Sequence, residues 1–168
     1  MTYQHSVAVA DSMSKLAHKM GLDEEQCLEA ELLGAVHELA KLQTSPDIFK
    51  KLQAGQTLNE PERQKLKHDP KVLLSILGTS WLSPSLIQAI ENLETRFDGK
   101  GKNANSGEAI PQLTRMLAIC DIHDLLCRRR SGKAISPEQA LKALDNNQNT
   151  LLDPVIVCIF RELILTST

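Results

Sequence analysis

Apolar residues recur every three to four positions along almost the whole chain, and that period sets the fold class before anything else does. Spacing of this kind asks for helices, each with one stripe to bury. Only five aromatic residues occur and the Val/Ile runs are short, so nothing competes for strands. The expectation is an all-α chain, a compact helical bundle of about seven to eight helices. With 168 residues and 42% hydrophobic content it is long enough to bury one real core, and residues 1–168 are read as a single domain.

The punctuation between stripes is explicit. Val9, Met13, Leu16 and Met20 line one helix that Gly21 stops. Asp23 with Gln26 makes a capping pair for a second helix, expected to run to about Leu42. Short helices are expected over Ile48 to Leu52 and from Asn59 to His68, and Pro70 forces a break before Val72 to Leu77. Ser83-Pro84 opens a helix expected to reach Phe97, and Asp98 to Gly107 is the one long irregular loop. Three further helices are expected: after Pro111 through Leu126, from Ser136-Pro137 to Leu144, and after Asp153-Pro154.

Charge and cysteine usage exclude several functions. Nineteen basic against 21 acidic side chains, with no long block of either sign, leave no footprint for duplex nucleic acid. Cys27, Cys120, Cys127 and Cys158 form no C-x-x-C pair and follow no secretory leader, so they are read as reduced core thiols of a cytoplasmic protein. No apolar stretch approaches the ~18 residues of a bilayer span. Direct membrane insertion is not expected.

Ionisable groups stand out where they interrupt apolar helix. His37, Glu38 and Lys41 break the run from Leu32 to Leu42, and Asp121 sits in the same way between Met116 and Leu126. Unpaired charges there would cost several kcal/mol, so they must be paired, protonated or metal-bound. One reading puts Glu38, Lys41 and Asp121 at solvent edges or in a structural ion pair. The other is a metal site, because imidazoles and carboxylates from separate helices suit divalent ions.

The order of motifs resembles that of the HD-GYP family, a branch of the HD superfamily of metal-dependent phosphohydrolases, over nearly the whole chain. His5-Ser6-Val7-Ala8 resembles its opening histidine element, His37-Glu38-Leu39-Ala40-Lys41 its H-D-x-G-K, and Leu58 to Glu62 with His68-Asp69-Pro70 its L-T-x-x-E and histidine-proline stretch. Asp98-Gly99-Lys100-Gly101 is similar to its Asp-Gly-x-Gly loop, Arg115 to Leu125 to its arginine-led D-x-x-D helix, and Arg130, Lys133 and Ser136 to Ala140 to its closing segment. The first of these begins at Tyr3-Gln4-His5, and a domain excised from a larger protein is expected. The resemblance implies an HD-domain helical bundle with metal ligands at His5, His37, Glu38, His68 and Asp121. It puts a catalytic lysine at Lys41 and phosphate contacts at Arg115, Arg130 and Lys133. Such sites hold two or three iron or manganese ions, which activate water against a phosphodiester.

Departures from the family pattern shape the functional expectation. Glu38 replaces the aspartate of the second motif, and Leu93-Glu94-Thr95 stands where the family has His-His-Glu. Lys102 and Asn103 replace the Tyr-Pro of the signature. One divalent ion is therefore expected rather than two, or none. His18 and His123 are read as surface and core-edge side chains, Trp81 as a packing anchor, and Arg128 to Arg130 as a helix C-terminus favoured by its dipole. The leading expectation is a degenerate module of cyclic di-GMP signalling that acts as sensor or partner-binding domain, with phosphodiesterase activity impaired or lost. An active phosphohydrolase on cyclic di-GMP or another phosphate ester is the alternative, and a helical domain used only to form a homodimer is the third reading.

Overall fold

The computed structural model describes residues 3–43, 45–54, 56–65, 69–101, 105–128 and 135–166. Among them are nine α-helices, with no strand beyond one isolated bridge between Gln148 and Leu152. The all-α expectation holds.

Helix α1 (Tyr3–Lys19) buries Val9, Met13 and Leu16 completely and ends at Gly21, whose φ of 75° is the left-handed turn glycine takes without strain. Helix α2 (Glu24–Val36) starts at the expected capping pair, in which the Asp23 side chain accepts from Gln26 N at 2.9 Å and Gln26 Oε1 accepts from Asp23 N at 3.1 Å. It stops at Val36 rather than Leu42. The His37 ring turns back onto the Gly34 carbonyl, Lys41 N donates to Glu38 O, and the chain tightens into a 3₁₀ turn over Leu39–Gln43. His37 and Glu38 thus occupy a corner, not mid-helix.

Helices α3 (Pro46–Gln53), α4 (Glu60–Lys65) and α5 (Pro70–Leu77) form a short side chain of elements, the last capped by Asp69 with Pro70 in its first turn. Helix α6 (Pro84–Glu91) is capped by Ser83, whose Oγ accepts from Leu86 N at 3.0 Å. It ends well before Phe97: Asn92 Nδ2 donates to the Gln88 carbonyl, and turns with Glu94 at φ 67° follow. Leu93-Glu94-Thr95 therefore lies in a turn.

The central helix α7 (Gln112–Cys127) packs on α1, α2, α6, α8 (Pro137–Asp145) and α9 (Pro154–Thr166). Met116, Ile119 and Cys120 are fully buried in it, facing Met13, Leu33, Leu144 and Phe160 in one contiguous core. Gly34 decides how closely the first two helices approach, since a Cβ there would lie 2.8 Å from Ala10 Cα and 2.9 Å from Ala10 N.

Two local expectations need correction. All four cysteines are free, but Cys158 is exposed and Cys127 half-buried, because their positions on α9 and α7 turn away from the core. Trp81 is 58% exposed, with Nε1 donating to the Leu77 carbonyl, so it closes a turn and anchors no core. No described helix is long and apolar enough to cross a membrane. His18 is exposed and His123 half-buried, edge-on to Phe160, as expected.

Candidate metal centre

Three elements distant in sequence bring their polar side chains to one point in the core. His5 comes from the first turns of α1, His37 from the corner after α2, and Asp121 from the middle of α7. His5 Nε2 lies 3.2 Å and His37 Nε2 3.7 Å from Asp121 Oδ1, and the three donor atoms are all within 4.8 Å of one another. Both imidazoles are buried, with ring centroids 5.3 Å apart in an edge-on arrangement.

The opposite nitrogens fix which atoms face inward. His5 Nδ1 is 2.7 Å from Asp124 Oδ2, and His37 Nδ1 is 2.7 Å from the Gly34 carbonyl oxygen. Both partners are acceptors, so each Nδ1 carries the proton and donates, leaving a lone pair on each Nε2. Those lone pairs point at a carboxylate oxygen. His5 Nε2 and Asp121 Oδ1 are buried without a hydrogen bond of acceptable geometry. An arrangement of converging lone pairs is stable only with positive charge between them, which a divalent cation or a proton supplies. The donor set, two neutral imidazoles and one carboxylate, suits a borderline divalent ion, and the outer bonds to Asp124 and Gly34 are the kind that orient metal-bound histidine.

The protonation tendencies follow from the same geometry. Burial pushes the His5 imidazolium down, but the Asp121 and Asp124 carboxylates outweigh it and hold its pKa above the ordinary histidine value. Burial pushes Asp121 up, yet His37 and His5 bring it well below the usual carboxylate range. Glu38, 6% exposed, is raised by burial and brought below its ordinary value chiefly by Lys41, with which its Oε1 is paired. Its other oxygen lies 3.9 Å from His5 Nε2, at the rim of the cluster.

Of the other expected site residues that are described, none contributes a ligand atom to the cluster. Arg115 is engaged by structure: its guanidinium pairs with Asp153 and donates from Nε to the Ile110 carbonyl at 2.9 Å. Leu93 is 5% exposed and part of the core, Thr95 is buried, and Glu94 is exposed. His68, Lys102, Asn103, Arg130 and Lys133 lie outside the described residues. The Asp98 loop is tied to itself, with Arg96 Nε and Nη2 donating to the two Asp98 oxygens at 3.0 and 2.7 Å and Lys100 N donating at 3.0 Å. Gly34 is the participant that sequence reasoning missed, and Asp124 entered it only as part of the D-x-x-D element, with no role assigned. Asp124 lies one helical turn after Asp121 on the same face, a spacing that could have flagged it.

An all-helical bundle whose core brings two imidazoles and a carboxylate together defines a class, helical domains with a candidate metal site. Residues 1–156 match the HD domain family model, and the chain belongs to the HD domain family. Phosphohydrolases of that family are metal-dependent, in keeping with the cluster. The chain is 29% identical over 144 residues to a cyclic di-GMP phosphodiesterase response regulator of Xanthomonas campestris pv. campestris, covering 83% of this chain and 37% of that protein. It is 31% identical to a cyclic di-GMP phosphodiesterase of Pseudomonas aeruginosa, covering 79% of this chain and 32% of the relative. With a 3'3'-cGAMP-specific phosphodiesterase of Vibrio cholerae the identity is 33%, over 77% of this chain and 30% of the relative. The chain thus spans about a third of the length of these relatives. A crystal structure of a cyclic GMP-AMP specific phosphodiesterase of V. cholerae shares the fold, with a TM-score of 0.66 at 17% identity over 96% of this chain and 44% of that one.

Proposed function

We propose that this domain holds one divalent ion, iron or manganese, and serves cyclic di-GMP signalling as a sensor or partner-binding module with impaired or lost phosphodiesterase activity. The observation that carries the reading is the contrast between two adjacent places. His5, His37 and Asp121 converge on a single point, while the turn after α6, where the family resemblance calls for imidazoles, offers the buried aliphatic side chain of Leu93. Among the described residues, a second ion would find no imidazole there.

His5 Nε2, His37 Nε2 and Asp121 Oδ1 would hold the ion, with Glu38 beside them as a further carboxylate. When bound, it would supply Lewis acidity toward a phosphate oxygen. Asp124 and the Gly34 carbonyl keep both rings turned inward. Lys41 neutralises Glu38, so its ammonium reaches an incoming anion only by sharing itself with that carboxylate. The names of the relatives support cyclic di-GMP or a related phosphate ester as the ligand. The alternative, an active phosphohydrolase with an altered metal set, draws support from the intact orienting bonds behind both histidines.

Elemental analysis of protein purified without chelator, run beside His37→Ala, tests the reading together with turnover of cyclic di-GMP by the manganese-loaded chain. Near-stoichiometric metal that is lost in the variant, with negligible turnover, is the expected result. Robust turnover would select the alternative, and no metal in either protein would remove the metal centre altogether.

A further inference from the structure

A cavity of about 210 Å³ opens beside the metal centre, between the turn after α6, the face of α7 and the segment leading into α9. Asp121 forms part of its wall, so the residue that closes the ion cluster also faces this space. The rest of the lining is mainly aliphatic, with Leu93, Leu117, Ile122, Leu151 and Leu152 its larger members. Glu94, Thr95, Arg96 and Thr114 are its other polar members, and each already has an interaction within the fold. Thr114 Oγ1 donates to the Ala89 carbonyl at 2.8 Å, and the Arg96 guanidinium at the edge is held by both oxygens of Asp98. Water gains few hydrogen bonds in such a place, whereas an apolar group gains contact.

The volume constrains the occupant as firmly as the lining does. Pockets that enclose a whole drug-sized ligand run to roughly 300–1,000 Å³. This one takes a single compact group and leaves the remainder of a large ligand outside.

We propose that this cavity is a selectivity pocket, receiving the compact, uncharged aromatic or aliphatic group of a phosphate ester whose phosphate lies against the metal centre. The proposal rests on the metal-centre reading for the phosphate and on the cavity's own walls for the organic group. The ester's substituent, more than its charge, then decides which phosphates bind. Leu117, Ile122 and Leu151 set the size limit.

The test compares phenyl phosphate with methyl phosphate as probes on the manganese-loaded chain, by calorimetric titration, with methyl-group NMR on the chelator-treated chain. Phenyl phosphate is expected to bind about ten- to a hundredfold more tightly, the gain from burying one ring. Ala118→Phe, which fills the cavity from α7, is expected to erase that preference while metal stoichiometry and methyl phosphate affinity stay unchanged. Should that variant fail to fold, Leu151→Trp fills the same space from the half-buried connection before α9. Equal affinities in the unaltered chain, or a preference that survives both fillings, overturn the proposal. Metal content is read in parallel. If no metal binds, the metal-centre reading fails by itself, and phenol becomes the probe: shifts at the Leu117, Ile122 and Leu152 methyls uphold the organic-group pocket, and their absence overturns it.

Discussion

Asp153 and Asp121 are both carboxylates set into the same bundle, and they are treated in opposite ways. Asp153, 3% exposed, is fully engaged: one oxygen pairs with Arg115, and the other accepts from Val155 N at 2.8 Å and Ile156 N at 3.3 Å, capping α9. Asp121 keeps a buried oxygen without a hydrogen bond and turns it toward two imidazole lone pairs. A carboxylate whose lone pairs are all used is part of the frame. One left open among other donors is a site, because natural cores rarely tolerate such an atom without a further partner.

The sharpest way to break that comparison is to remove each carboxylate in turn. Asp153→Ala leaves the Arg115 guanidinium without its partner and α9 without its cap, and is expected to cost about 3–5 kcal/mol. Metal content per folded molecule should stay unchanged. Asp121→Asn is expected to do the reverse: a smaller loss of stability than Asp153→Ala, since the amide can still hydrogen-bond the imidazoles, and loss of the ion. Urea melts and elemental analysis on both variants decide the matter, and parallel behaviour of the two would erase the distinction.

A smaller effect is expected one layer out. Asp124→Asn weakens the bond that aims His5, and should lower metal affinity by about ten- to a hundredfold without abolishing binding. Competition with a calibrated chelator reads it. An unchanged affinity would mean that packing alone orients the ring.

The smallest effect belongs to the loop after α6. Hydrogen bonds from Arg96 hold the Asp98 carboxyl down to about 2. Because the folded value is depressed, the contribution of this carboxylate is complete above the ordinary range near ~3.9 and fades as pH falls through the folded value. A carbon-detected NMR titration of Asp98 should give a midpoint near about 2, moving upward in Arg96→Ala. An unperturbed midpoint in the native chain would mean that the pair is not formed in solution.

Much of this was legible in the residues. Helical periodicity gave the fold class, the Asp23/Gln26 pair and Ser136-Pro137 gave two helix starts, and motif order joined His5, His37 and Asp121. The errors in helix length share one cause. Leu39 to Leu42 and Leu93 continue the apolar period past the ends of α2 and α6, so the pattern could not reveal that a histidine ring and an asparagine amide end those helices from the side. The pairing of Arg115 was hidden for a related reason: its partner Asp153 is remote in sequence, and an ion pair across the core leaves no local signature.

Gly34 has a consequence for the order in which the centre is assembled. Its missing side chain lets α1 and α2 close on each other, and its carbonyl turns His37 inward, all within one hairpin of sequence neighbours. Contacts so local form early in folding, while Asp121 can join only after a long loop has closed and α7 has docked. The two imidazoles are a half-built cradle waiting for their carboxylate. An ion held there would therefore act as a fastener for the docking of α7, the last of its three supports to arrive, and not as the nucleus around which the chain first gathers.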